Sequence, residues 1–232
     1  MIHSAPGTAP DPGPEWLAAT RFLDKDHPRI RAFAEQAAAG ATDDVSRAVK
    51  LFYAVRDGWR YDPFTIRLGP EHYVASSVHA ESAAYCIPKA ILLAAAARAI
   101  GIPAGIGLSD VVNHLTTEKL KEKMGGSTLF VDHGYAVLHL EGKWVKAAPA
   151  FNIELCERFH VRPTEFDGRT DAVFQEFDAL DRRHMEYVAD HGMWSDVPFE
   201  RLIADMQRAY PPTLFTHEPV ATRFEDQIPL KG

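Results

Sequence analysis

The chain has 232 residues, 46% hydrophobic and 25% charged, the balance of a soluble globular protein with a sizeable core. Its formal charge of -7 argues against nucleic acid or an anionic membrane as partner. Two cysteines, Cys86 and Cys156, exclude a disulfide scaffold and a cysteine-rich metal site.

Residues 1–14 are rich in Pro, Gly and Ala and predict a disordered tail. With neither a basic start nor an apolar core, they do not read as a signal peptide, and a cytoplasmic location follows by default. The rest, 15–232, reads as one domain with a core over about 43–152 and a C-terminal elaboration over 153–232. His27-Pro28 opens a helix that stops at Gly40. Thr42 or Asp43 caps a second helix, whose Val45, Ala48, Val49, Phe52 and Val55 recur at helical spacing before Gly58. Trp59-Arg60-Tyr61 and Thr65–Leu68 read as short extended pieces.

Cys86 then leads into Ile87-Pro88 and an apolar run to Arg98. A helix apolar on every side is a buried one, and its longest apolar stretch, 90–97, is too short to span a bilayer. A thiol at its head meets free N–H groups and the positive end of the helix dipole, which favour a thiolate and can steady an oxyanion. Residues 104–112 read as a strand and 114–124 as a charged surface helix. Tyr135–Leu140 and Lys143–Lys146 flank Glu141-Gly142 as a hairpin. Residues 153–180 give no clear period, and a last helix fits 198–209. Helices followed by an antiparallel sheet make the fold class α+β.

A cysteine nucleophile needs a base and a group that orients it. His133, in Asp132-His133-Gly134-Tyr135, is the candidate base. The order of helix-head Cys86, Arg98-Ala-Ile-Gly-Ile-Pro-Ala104, His133-Gly-Tyr-Ala-Val-Leu-His-Leu140 and Gly142-Lys-Trp-Val145 resembles the transglutaminase-like superfamily, in its bacterial cysteine-protease-like branch, over about residues 50–150. The resemblance implies a papain-like core, acyl chemistry through a thioester by a Cys-His-Asp triad, no cofactor, and a peptide, protein or small amide as substrate. By it Cys86 is the nucleophile and His133 the base.

Where the family carries its triad aspartate, before a proline after the hairpin tryptophan, this chain has Ala148-Pro149. With a two-residue hairpin loop, His133 would face Ala150, and Ala148, Ala150 and Asn152 would share its face. Asn152 is the first candidate orienter, since Asn fills that role in papain-like enzymes; Asp167 is the second. Tyr85 is a candidate wall of the acyl pocket, and Trp59 or Tyr61 a neighbour of the oxyanion. Alanine in place of the aspartate also supports a second reading, a binding module on the same fold. His191, in a second Asp-His-Gly, is the fallback base and reads as part of a turn. Cys156, Phe151, Phe166, Phe174 and Phe177 read as core, while Arg182-Arg183 and Lys119, Lys121 and Lys123 read as solvated faces. No spacing marks a metal site.

Overall fold

The helix that bears Cys86 is the centre of the molecule. The computed structural model describes residues 1–114, 116–173, 185–216 and 224–227; Phe174, Phe177, Arg182 and Arg183 lie outside them. Before the central helix come β1 (His3–Ser4), α1 (Pro28–Ala37), α2 (Asp44–Gly58), β2 (Arg60–Tyr61), α3 (Ala75–Ala80) and β3 (Ala83–Ala84). The central helix is α4 (Cys86–Ala99). After it come β4 (Ala104–Asn113), α5 (Glu118–Lys123), β5 (Leu129–Leu140), β6 (Lys143–Ala147), α6 (Ile153–Phe159), β7 (Met185–Trp194) and α7 (Phe199–Ala209). The fold is α+β. A five-stranded antiparallel sheet runs β1-β7-β4-β5-β6, and α4 lies against β5 and β4 with α1, α2 and α3 around it.

Local signals explain the first half. Asp43 caps α2: its Oδ1 accepts from Ser46 N at 2.8 Å, while Ser46 Oγ accepts from Asp43 N at 3.3 Å, a reciprocal box that satisfies two orphan donors. Gly40, after α1, takes a φ of 76°, open to glycine without penalty. Every residue of α4 from Cys86 to Arg98 is buried, as an all-round apolar helix must be. Its two cations hold it in place. Arg98 donates to the carbonyls of Ala18, Ala104 and Ser195, which ties the C-terminal end of α4 to the start of β4 and to two distant segments. Lys89 does the same near the N-terminal end.

The hairpin forms in the expected register, Leu140 opposite Lys143, with Glu141 and Gly142 at φ 48° and 82°, the backbone of a tight two-residue turn that matches strand twist. The ladder ends at Ala136–Ala147, however. Ala148 N turns to Ala172 O at 2.8 Å, and Pro149 has no N–H to offer. The expected pairing of His133 with Ala150 is therefore not formed.

Three further expectations are corrected. The first residues are not a loose tail: His3–Ser4 adds an edge strand to β7, His3 stacks on Trp194, Ile2 N donates to Ser195 Oγ at 2.8 Å, and Trp144 Nε1 donates to Pro10 O at 2.7 Å. His191 lies in β7, not in a turn. Thr65 closes a 3-10 turn over Pro63–Thr65 rather than opening an extended piece. Cys156, Phe151 and Phe166 are core, as expected.

Candidate functional site

Cys86 is the first residue of α4, and the residue before it, Tyr85, makes no side-chain cap. Pro88 sits in the first turn and carries no N–H, so the backbone donors near the sulfur are few and local. Those of Gly134, Ile87 and Cys86 itself point at the thiol and lower its pKa. Burial outweighs them and pushes the thiol up to about 11, helped slightly by the negative charge of Asp132. The helix-head position thus gives the sulfur its donors but not, in the closed molecule, the thiolate that the sequence suggested. Desolvation wins because Cys86 is 6% exposed.

Gly134 lets α4 come this close. A β-carbon there would lie 2.7 Å from Ile87 Cγ1 and 2.9 Å from Ile87 Cα, so backbone would have to move. Gly134→Ala should destabilise the fold by about 1–3 kcal/mol and push the head of α4 off β5. Denaturant unfolding checks the first effect, and faster alkylation of Cys86 by a small thiol reagent the second.

His133, the residue before Gly134 on β5, lines the same cleft as Cys86. It is 4% exposed, and burial pulls its imidazole down to about 3. The ring makes an edge contact with Tyr187, centroids 6.5 Å apart. A β-bulge precedes it: on β4 the single residue Asp110 faces both Val131 and Asp132, between the pairs Ser109–His133 and Val111–Phe130. Asp132 adopts φ 55°, a left-handed conformation that aspartate tolerates better than most residues. Its N–H donates to Asp110 Oδ1 at 3.0 Å instead of to the ladder. Such kinks re-aim side chains beside active sites.

Around the bulge stands a charged cluster. His191 Nε2 lies 2.9 Å from Asp110 Oδ1 and 3.8 Å from Asp132 Oδ1, and Arg201 Nη2 lies 3.3 Å from Asp132 Oδ1. Burial raises Asp132 to about 6 against the pull of Arg201 and His191. Asp110, Asp132 and His191 converge closely enough to ligate a cation, but Arg201 already supplies positive charge to Asp132. The cluster is an ion-pair network whose member on the cleft lining is Asp132.

The two candidate orienters lie elsewhere in their bonding. Asn152 is buried just before α6, and its Oδ1 accepts from Tyr61 N at 3.0 Å; it anchors one wall of the cleft. Asp167 is exposed and folds onto its own turn, accepting from Arg169 N at 2.8 Å and Thr170 N at 2.7 Å. Ala148 packs with Trp16, Tyr135 and Val137, which confirms that the position shares the face of alternate β5 residues. The neighbour that sequence reasoning missed is Ser109. It stands directly opposite His133, so the two side chains share a face. Its Oγ is buried with no hydrogen-bond partner among the described residues. The pairing of β4 with β5 is what reveals it, and no local sequence signal does. Tyr61 and Tyr85 line the cleft, while Trp59 packs against Phe33 and His79.

Among curated proteins none matches the chain. A solved structure from Cytophaga hutchinsonii named "putative cysteine protease" aligns at 15% identity with a TM-score of 0.45, over 77% of this chain and 53% of that one. A second, from Parabacteroides distasonis and named "putative protease", aligns at 12% identity with a TM-score of 0.38, over 61% of this chain and 27% of that one. The chain thus spans about half the length of the first and about a quarter of the second. The model of the transglutaminase-like superfamily matches residues 31–149, just over half of the chain and the stretch that holds Cys86, His133 and the hairpin: the protein belongs to the transglutaminase-like superfamily.

Proposed function

We propose that the protein carries out cysteine-dependent acyl chemistry on an amide or peptide substrate, with Cys86 as nucleophile and His133 as general base. The observation that supports the reading is that a helix-head thiol, approached by three backbone N–H groups, and His133 of the neighbouring strand line a single cleft. At rest both groups are neutral. As Cys86 Sγ attacks the acyl carbonyl, His133 takes the thiol proton. The N–H of Cys86, at the helix head, steadies the oxyanion. The tetrahedral species collapses to a thioester, and His133 returns the proton to the departing amine. Water then frees a carboxylic acid, or a second amine takes the acyl group; which of the two reaches the thioester separates a hydrolase from a transferase. In this reading Ser109, paired with His133 across the strands, would hold the imidazole where Ala148 cannot, and Asn152 would support the site through Tyr61.

The test is where an acyl label goes. Wild type treated with a thiol-directed acylating probe and mapped by mass spectrometry should carry the label at Cys86, and the Cys86→Ala variant should carry none. Label confined to Cys156, or equal label on both proteins, would sink the proposal. A second reading, a binding module, is favoured by Ala148 and by the raised thiol; it predicts a cleft that takes ligand without labelling Cys86. Among the described residues no helix is long and apolar enough to cross a membrane.

A further inference from the structure

The cleft that opens onto Cys86 has walls of carbon. Ile66, Leu120, Met124, Phe130, Met206 and Leu214 line it, contributed by segments on both sides of the sheet's bulged end. Three tyrosines join them, and two have their hydroxyls tied inside the protein. Tyr85 Oη lies 2.6 Å from Tyr73 Oη. Tyr210 Oη accepts from Val131 N at 2.6 Å and donates to Leu129 O at 3.2 Å. These rings therefore offer their faces and not their polar ends. The charged group on the lining is Asp132, whose carboxylate is buried and held by Arg201.

From this we infer that the acyl group delivered to Cys86 is apolar and not anionic, its first carbon or two filling the enclosed space of about 30 Å³ and any longer aliphatic or aromatic body lying along the open part of the same lining. The inference rests on the reading of Cys86 as nucleophile. An anionic acyl group entering this cleft would lose its hydration, find no cation on the lining to replace it, and meet the Asp132 carboxylate. An apolar one gains from each carbon removed from water, about fourfold per methylene. The selection acts on the acyl side of the scissile bond, because the cleft lies at the sulfur that keeps the acyl group after the amine departs. In the step itself the carbonyl carbon gains a bond to Cys86 Sγ and loses its bond to the leaving group, and the thiol proton leaves with that group.

Wild-type protein is mixed with p-nitrophenyl esters of acetate, butyrate, hexanoate, phenylacetate and monosuccinate. Release of p-nitrophenolate is followed, acylation of the Cys86 peptide is confirmed by mass, and each rate is divided by that ester's rate with free N-acetylcysteine. Hexanoate and phenylacetate should exceed acetate by about twentyfold or more, and succinate should fall below acetate. A flat series with Cys86 still acylated overturns the apolar pocket and leaves the nucleophile standing. Failure of every ester to acylate Cys86 overturns the underlying reading instead. In Met124→Gln, which keeps the length of the side chain and is assayed well below its own melting temperature, the hexanoate advantage should shrink at least twofold; an undiminished advantage in the folded variant would overturn the assignment of that wall.

Discussion

Replacement of His133 by alanine should slow acylation of Cys86 at pH 7 by about a hundred- to ten-thousandfold, and the loss should shrink steadily as pH rises. The shape follows from the two buried groups. Burial holds His133 at about 3 and Cys86 at about 11. Between those values the resting pair is a neutral imidazole and a neutral thiol. A general base that is already deprotonated and a nucleophile that is still protonated give a rate almost independent of pH from about 4 to about 10. Without His133 the reaction must wait for the rare free thiolate, whose fraction rises tenfold per pH unit up to about 11. The expected result is a flat profile for wild type and a line of slope one for the variant, converging near pH 11. A wild-type profile that itself climbs tenfold per unit would show that His133 takes no proton. The same two groups bear on stability with opposite windows. His133, depressed in the fold, contributes stability that is lost as pH falls from about 6.5 to about 3; Cys86, raised in the fold, contributes stability that is lost as pH rises from about 8.5 to about 11.

The helix and the hairpin that carry Cys86 and His133 are already announced by local sequence. The apolar run from Ala90 to Ala97 can only be a buried helix. Glu141-Gly142 between two alternating strands can only be a tight turn, and the hairpin register forms as the loop length dictates. What sequence does not carry is the far side of the site. β7 escapes because its apolar residues Tyr187 and Val188 are 37% and 51% exposed, while two register shifts against β4 break its alternation. Without β7 there is no way to see that His191 and Asp110 meet behind Asp132. Ser109 escapes for the same reason, since it becomes a neighbour of His133 only through long-range pairing. The extrapolation to Asn152 failed as geometry because it assumed a strand would continue through Pro149. The raised thiol pKa was hidden because a helix terminus can be read from sequence, whereas the depth at which it is buried cannot.

Lys89 links the stability of the fold to the placement of the sulfur, and its loss should be severe. Its Nζ donates to Arg56 O at 2.7 Å, Trp59 O at 2.6 Å and Ala150 O at 2.8 Å, and the residue is fully buried. Burial pulls its amine down to about 7. The three carbonyls act the other way, because only the ammonium has three N–H groups to give them. They belong to the end of α2, the residue just after it, and the segment following the hairpin, so one side chain fastens to α4 the two stretches that flank the cleft near Tyr61 and Asn152. Lys89→Met keeps the length and the apolar stem but leaves three buried carbonyls without their donor, each costing about 1–3 kcal/mol unless water enters. With partial relaxation the net loss should be about 3–5 kcal/mol, a fall in melting temperature of about 10–15 °C for a chain of this size. Lys50→Met is the control: it removes a bond as short, 2.6 Å to Ala39 O, but on an exposed residue, and should change stability by less than about 0.5 kcal/mol. In Lys89→Met molecules that still fold, the head of α4 is held less firmly, water reaches the sulfur, and the thiol should titrate below about 11, seen as faster alkylation at pH 8. Equal melting temperatures for the two variants would mean that the three carbonyls find other donors and that Lys89 does not hold the site together.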